Sequence, residues 1–515
     1  MVWLARLTLL VCLGVSAGVT AMLAAHRSAQ PILGPYSFAA LAALILASFT
    51  AIAFAALVIL PDRSLSRFLS WLVDGSRALR VTVPRGNSWT GLALAILAAA
   101  AYAAIAFRLV EQNRDPLNDQ YDYLRVAVGI RELGGAAELW GQLWSGEYRE
   151  ANRHPLYTLI VSIRPEFEWG KRLSLVMGIG VLAAVWVHTT CRAGWVIGGL
   201  SAVLLATNAV FQQSASLVAC EMLFILWAFI AWIAIERIVE REDQPLANSW
   251  TRVWYPVLVG VALGLGYLTK ASAVFLLVGF LGWSVSLPGL RRWSWLTLVA
   301  FAVVASPLLI RNTRAYGDPF YSVNNRFLFS DTFEEGLDRE FFGTWPAAKE
   351  YWSTHTIGGM AKRLFTGLGW EGYVLLRSLG PVTSSNSSVL VGLVVLLLAI
   401  LGSMGWDRRI VGAALSWLIP FFVFFAWYGV IARGDRFLAP LVPIMLISAA
   451  RGAAVLLQTG APASDRALAR RVVLTAVLWC VATVAMSWRL ARQLPVVPEA
   501  VGSVPTMPDE WRSSR

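Results

Sequence analysis

The chain has 515 residues, of which 57% are hydrophobic and 14% charged, and its mean hydropathy is +0.62. Such a composition excludes a soluble globule and predicts an all-α polytopic membrane protein. The net charge of +12 does not mark a nucleic-acid binder, because the basic residues are nearly all arginines scattered through short loops between apolar runs, where they read as cytoplasmic anchors.

Runs long enough to span, at about 20 residues for about 30 Å of hydrocarbon, occur at 2–25, 36–60, 89–109, 170–190, 193–212, 215–237, 253–269, 271–287, 294–310, 388–405, 411–431, 437–457 and 472–494. They predict about thirteen transmembrane helices. The first, with Arg6 ahead of a leucine-rich run and small residues from Ala21 to Ala25, is either a span or a cleaved signal peptide. The topology downstream is the same in both cases. Between Ser66 and Leu79, Phe68, Leu69, Trp71 and Leu72 interleave with Arg67, Asp74 and Arg77, which predicts an interfacial helix.

With the amino terminus inside, Arg63, Arg77, Arg192, Arg241, Arg291, Arg408 and Arg470 all fall on the cytoplasmic side. The short outer loops keep Arg27, Lys270, Arg433 and Arg436. This asymmetry predicts that 111–169 and 311–387 are outer loops. The expected organisation is an N-terminal hairpin with a cytoplasmic segment (1–88), a core (89–457), and a last helix with a short outer tail (458–515). The four cysteines, Cys12, Cys191, Cys220 and Cys480, lie far apart in or beside apolar runs and form neither a disulfide framework nor a metal-ligand set.

Chemistry concentrates in Glu111–Tyr157. From Asp119 to Leu133, Asp122, Arg125, Gly129 and Glu132 recur on one side and Tyr123, Ala127 and Ile130 on the other, which predicts an amphipathic interfacial helix. Asn118 and Asp119 sit at its start, where a side-chain oxygen caps free N–H groups and negative charge suits the helix dipole. A carboxylate there on the outer face also has the access that a general base needs. For Asp119 both readings, base and cap, stay open; Asp115, before a proline, looks like turn chemistry, and Asp122 faces the polar side.

Here the sequence resembles the membrane-embedded GT-C glycosyltransferases, in particular bacterial members related to protein O-mannosyltransferases and aminoarabinose transferases. NDQYDYLRVA is similar to that family's first outer loop, with Asp119 as its acidic residue, Tyr123 four positions later and Ala127 in the small-residue helix. Gln120 departs from it, standing where many relatives have a second acid, and that weakens a metal-binding role for the pair. RHPLYTLI, KRLSLVMGIG, ACEMLFILWAFIAWIAIER, GLGYLTKASAVF, SPLLIRNTRAYGDPF and RGDRFLAPLVPI look like later family pieces in the same order, from about residue 89 to 457.

The resemblance implies an inverting transferase, hexosyl or pentosyl, that moves a sugar from a polyprenyl-phosphate donor to a glycan, lipid or protein acceptor at the outer face of a bacterial plasma membrane. Asp119 is then the base. Lys270 in a tight outer turn, and Arg311 and Arg436 at outer helix ends, are candidates for holding phosphate; the alternatives are an interfacial anchor for the lysine and structural pairing for the arginines. Glu221, an acid at a helix mouth, is a site residue or a salt-bridged structural one. Tyr123, His154 and Tyr157 complete the candidates, with His154 suited to hydrogen-bonding a sugar. Trp140, Trp144, Trp345 and Trp352 offer stacking surfaces in the outer loops. No metal or other cofactor is called for by the sequence. A transporter or flippase of lipid-linked sugar, which broken helices duplicated in two halves would favour, and an envelope polysaccharide polymerase or ligase are the rival readings.

Overall fold

The computed structural model describes residues 88–116, 119–242, 249–338, 343–381, 386–428, 435–458 and 465–491, with isolated positions before residue 88. The expected spans 2–25 and 36–60, the interfacial helix 66–79, Asn118 and the tail beyond 495 lie outside the described residues apart from those isolated positions.

Every regular element described is helical, the arrangement that satisfies backbone polar groups where no water reaches. Helix α1 (Ser88–Gln112) precedes three short helices, α2 (Asp119–Glu132), α3 (Ala136–Ser145) and α4 (Pro155–Ser162). The bundle continues through α5 (Phe167–Ala193), α6 (Trp195–Ala206), α7 (Ala209–Ser216), α8 (Glu221–Glu242), α9 (Ser249–Thr269) and α10 (Ala273–Val285). A single turn, α11 (Pro288–Arg291), leads into α12 (Ser294–Tyr316). A second group of shorter pieces follows: a 3-10 turn at Val323–Phe329, α13 (Phe333–Asp338) and α14 (Thr344–Thr354). The chain then completes the bundle with α15 (Ile357–Leu379), α16 (Asn386–Ser403), α17 (Arg408–Tyr428), α18 (Val442–Gln458) and α19 (Asp465–Ala491).

The protein is thus an all-α, multi-pass membrane protein. Among the described residues seven helices are long and apolar enough to cross a bilayer, or eight if one bent pair is a single span; the expected spans 2–25 and 36–60 are not among them because they lie outside the described residues. Two other expected spans, 271–287 and 193–212, differ for physical reasons. Ala273–Val285 is apolar but short, with 13 residues; at about 1.5 Å per residue such a helix reaches about 20 Å against a hydrocarbon core of about 30 Å. The run expected at 193–212 is not one helix either. It breaks between α6 and α7 with a bend of 61°, because Asn208 leaves the helical conformation and its side chain caps the Phe211 N–H at 3.0 Å.

Core packing relies on large apolar side chains such as Trp232, Trp417, Phe229 and Phe280 and on close helix approach. Where α16 meets α18, a Cβ on Gly452 would stand 2.0 Å from the Leu398 carbonyl oxygen, so only glycine permits that crossing. The short helices are fastened to the long ones at one end of the bundle. The Gly146 cap of α3 has φ +83° and lies against the Arg314 side chain. Arg314 donates to the Trp144 carbonyl at 2.6 Å and the Tyr316 hydroxyl to the Arg149 carbonyl at 2.6 Å. The Lys171 ammonium, buried at the start of α5, donates to the Asn113 carbonyl at 2.9 Å. These bonds hold both loop segments over the same helix ends.

Candidate active site

Helix α2 forms with the polarity expected of it. Tyr123, Ala127 and Ile130 are buried, and Asp119 and Asp122 stand in the first turn, where negative charge complements the dipole. Gln120 is buried too, and it points into the core instead of the cavity. Its amide makes a reciprocal pair with Asn113 (2.9 and 3.0 Å) while its oxygen also accepts from the Val218 N–H at 2.9 Å. An amide both donates and accepts there, which an ionised carboxylate cannot do. Gln120 therefore ties α2 to the segment between α7 and α8.

Asp119 is engaged by two arginines from distant parts of the chain. Arg153 donates to it at 2.6 Å and to Asp122 at 2.9 Å, and lies over the Tyr123 ring at 4.8 Å. Arg436, from the turn Asp435–Phe437, donates to the other carboxylate oxygen. Burial by itself would raise the Asp119 carboxyl, but Arg436 and Arg153 outweigh it and hold it at about 2. Arg153 is oriented by Glu150, a buried carboxylate that accepts from the N–H groups of Asn152 (2.7 Å) and Arg153 (3.0 Å). Sequence reasoning passed over both Arg153 and Glu150; the available signal was an arginine two helix-starts away from an unpaired acid, directly before the helix-opening HPL.

His154 precedes Pro155 at the start of α4 and donates its Nδ1–H to the Tyr267 carbonyl. Burial pushes the imidazole down to about 4, with the Tyr267 carbonyl opposing and the charges of Arg311 and Lys270 assisting. The ring is neutral at physiological pH, with Nε2 left as an acceptor. Lys270 pairs with Glu221 at 3.0 Å and sits 5.1 Å from the Phe437 ring centroid; the second Glu221 oxygen, Oε2, is buried without a hydrogen bond.

These groups line one cavity of about 510 Å³. Asp119, Asp122, Tyr123, His154, Glu221, Lys270 and Arg436 all face it. Of the residues expected at the site, Tyr157 and Arg311 do not line it. Tyr157 supports from below, edge-on to Tyr123 at 5.2 Å and hydrogen-bonded to Ser174 at 3.3 Å. Arg311 is 2% exposed and lies against Tyr148 and Tyr316, outside the cavity lining. The Tyr123 hydroxyl, raised well above its ordinary value by burial, stays protonated and donates to the Cys220 sulfur at 2.9 Å. Asp115, Trp140, Trp144, Trp345 and Trp352 also stand outside the lining.

The wall opposite α2 comes from the second loop segment. Ser322, Asn324, Asn325 and Arg326 enter the cavity from the 3-10 turn. Asn324 donates to Asn152 at 2.9 Å, joining the two segments. Arg326 has no ion pair among the described residues; its Nε is buried without a hydrogen bond, and its guanidinium lies 4.8 Å from the Phe327 centroid. The sequence signal for it was weak, a lone cation after two asparagines in an expected outer loop. Beside these polar groups, Phe275, Phe424, Phe425, Tyr428 and Phe437 make an aromatic wall, with Phe275 and Phe424 at 3.9 Å and Phe425 and Phe437 at 4.8 Å.

The 3-10 turn is secured from behind. The Trp427 indole donates to the Leu328 carbonyl at 2.8 Å. Asp331 accepts from the Tyr351 hydroxyl at 3.0 Å, from Arg363 at 3.3 Å and from His355 at 2.9 Å. The hydrogen bond to Asp331 raises His355 above its ordinary value; for Asp331, burial acts upward but its bonds to His355 and Tyr351 prevail and lower it.

Among the described residues no group of three or more histidine, cysteine, aspartate or glutamate side chains is gathered as a metal site. No family model and no curated protein matches the sequence. Among solved structures, the chain is similar to ArnT from Cupriavidus metallidurans bound to undecaprenyl phosphate (14% identity, TM-score 0.43, covering 78% of this chain and 73% of that one). The apo state of the same protein matches at 14% identity and TM-score 0.41, over the same shares. The archaeal oligosaccharyltransferase AglB from Archaeoglobus fulgidus, in complex with an inhibitory peptide and a dolichol-phosphate, matches at 14% identity and TM-score 0.43, with 76% of this chain covering 55% of AglB, about half its length. At this level the likeness assigns neither family nor residue roles.

Proposed function

We propose that the protein is a polyprenyl-phosphate-sugar-dependent glycosyltransferase of GT-C type, with 89–457 as its catalytic core. In this reading it moves a hexose or pentose to an acceptor hydroxyl with inversion, at the outer face of a bacterial plasma membrane. The observation that carries the reading is the make-up of one cavity: an ionised, accessible carboxylate, several cations and an aromatic wall within about 510 Å³. The order of the family-like segments NDQYDYLRVA, RHPLYTLI and GLGYLTKASAVF supports it, as does the arginine asymmetry for the outward orientation.

The chemistry asks little of a general acid, because the donor already carries phosphate as its leaving group. A base is required to take the acceptor proton, and cations are required to stabilise the charge that develops on phosphate. Asp119 is assigned the first task, and Lys270, Arg436 and Arg326 the second. Arg311 is left out of the phosphate set because it is buried away from the cavity. His154, Asn152, Asn324 and Asn325 line the cavity and are assigned to the sugar hydroxyls. Glu221 holds Lys270 in place, and Tyr123 and Tyr157 support Asp119 and Arg153. The aromatic wall suits the first isoprene units.

Transport would call for a broken helix whose break lines a pathway. The break between α6 and α7 is instead buried and filled: Asn208 donates to the Ser378 carbonyl at 2.7 Å, and the Trp479 indole donates to Thr207 at 2.8 Å. The test is transfer by purified protein from a panel of polyprenyl-phosphate sugars. Asp119→Asn should lower turnover by about a hundredfold or more, a typical general-base contribution, while Asp115→Asn and Asp122→Asn are milder. Equal turnover of Asp119→Asn and wild type would remove the catalytic assignment.

A further inference from the structure

The ion pair between Asp119 and Arg436 sets a problem for the reaction just proposed. A base must gain a proton as the acceptor attacks, and a carboxylate clasped by two guanidiniums has little affinity for one. The two arginines are not equivalent. Arg153 is 11% exposed, divides itself between Asp119 and Asp122, and has its backbone pinned by Glu150. Arg436 keeps 46% of its side chain accessible, lines the cavity, and has Asp119 as its one ion-pair partner among the described residues.

We propose that Arg436 is exchanged between Asp119 and the phosphate of the incoming donor, so that donor binding itself frees the base and the acceptor is activated only after the donor is seated. The inference rests on the transferase reading and adds an order to it. Arg326, which has no carboxylate to leave among the described residues, meets the singly charged phosphodiester first. Arg436 then turns to the phosphate, whose oxygens accept the guanidinium fork as well as a carboxylate does.

In the transfer step the acceptor oxygen forms its bond to the sugar C1 as the C1–O bond to phosphorus-bound oxygen breaks. The bonding pair stays on that oxygen, so the lipid phosphate gains a second negative charge, and the acceptor proton passes to Asp119. Charge growing on the phosphate strengthens its hold on Arg436 during the step itself, which is where stabilisation counts. The other groups around Asp119 keep their places: Arg153 and His154 before α4, Asp122 and Tyr123 on α2, Cys220 and Glu221 at the start of α8, and Lys270 paired to Glu221. At Asp119 one guanidinium is lost and an anionic phosphate arrives in the same cavity, and both changes favour its protonation.

Because Asp119 and the phosphate compete for Arg436, removing the carboxylate should tighten phosphate binding. Binding of a polyprenyl methyl phosphodiester, singly charged and lacking a sugar, is measured to protein in nanodiscs of neutral lipid. Asp119→Asn is expected to bind it about fivefold tighter or more, the low end of coupling between linked sites, and adding Arg436→Gln should cancel the gain. Unchanged or weaker binding by Asp119→Asn overturns the exchange. A second measurement needs no Asp119 variant: the acid limb of kcat at saturating donor and acceptor. With Arg436 withdrawn it should lie above the value of about 2 at which Arg436 and Arg153 together hold the carboxyl, and Arg436→Gln should raise the donor KM without moving it. A limb that moves upward in Arg436→Gln means Arg436 stays on Asp119 throughout, and the exchange fails. Absence of transfer from every donor would overturn the enzyme reading alone, since the binding comparison decides the competition independently.

Discussion

Arg326 offers a clean perturbation of the proposed donor site. The cavity carries carboxylates on Asp119, Asp122 and Glu221 and cations on Arg153, Lys270, Arg436 and Arg326, with His154 neutral. Each of the first three cations is paired with a carboxylate, so among the described residues one positive charge at the cavity remains uncommitted, and it is on Arg326. Removing Lys270 would leave Glu221 without its partner, and removing Arg436 would take one of two guanidiniums from Asp119, so both mix binding with stability. Arg326→Gln leaves no carboxylate without its partner among the described residues. A charge-assisted hydrogen bond contributes about 1.5–3 kcal/mol, and at about 1.4 kcal/mol per tenfold this corresponds to a donor KM raised about 10- to 100-fold. Arg326→Lys keeps the charge but not the fork, so it should fall between the two. The melting temperature should change little, since no ion pair among the described residues is lost and the contact with the Phe327 ring contributes about 0.5–1 kcal/mol. Steady-state transfer kinetics with varied donor provide the assay. An Arg326→Gln protein with wild-type donor KM and kcat would refute the charge argument.

Three further outcomes are expected. Gln120→Glu removes the donor to Asn113 from a buried site and should destabilise by about 1–3 kcal/mol, read as a lowered melting temperature; a melting temperature at or above wild type would contradict the clamp. The tie between Asp331 and His355 has a pH window with a definite sign: the raised His355 contributes fully below its ordinary 6.5 and is lost as pH rises through its folded value, and the lowered Asp331 contributes above its ordinary 3.8 and is lost as pH falls through its folded value. Hydrogen-exchange protection of residues 322–337, taken relative to the intrinsic rate at each pH, should therefore be highest between about 3.8 and 6.5 and fall on either side, and a flat protection profile would exclude the tie. Cysteines introduced at Ser145 and Ser353 should react with impermeant reagents from outside intact cells, and labelling from the cytoplasm alone would reverse the orientation.

Hydropathy and helical periodicity determined the all-α membrane class, most of the long helices, and the start and buried face of α2 at Asp119, Tyr123 and Ala127. These are local properties: a run of apolar residues, or an acid ahead of an amphipathic stretch, carries its meaning within a few turns of chain. The sequence also placed Lys270 and Glu221 at the same end of the bundle, because both stand at the mouths of adjacent apolar runs. It did not reveal that they pair, nor that Asp119 is held by Arg153 and Arg436. An ion pair is chosen by the distance between segments that meet only after the helices pack, and 317 residues separate Asp119 from Arg436. The same reason governs the two arginines that changed standing. Arg311 is at an outer helix end by sequence, but packing folds Tyr148 and Tyr316 over it. Arg326 is one cation in a loop until the Trp427 and Asp331 bonds turn its segment into the cavity wall. Helix position is written in the chain by solvation, whereas the partner of a charge is decided by which helix ends the packed bundle brings together.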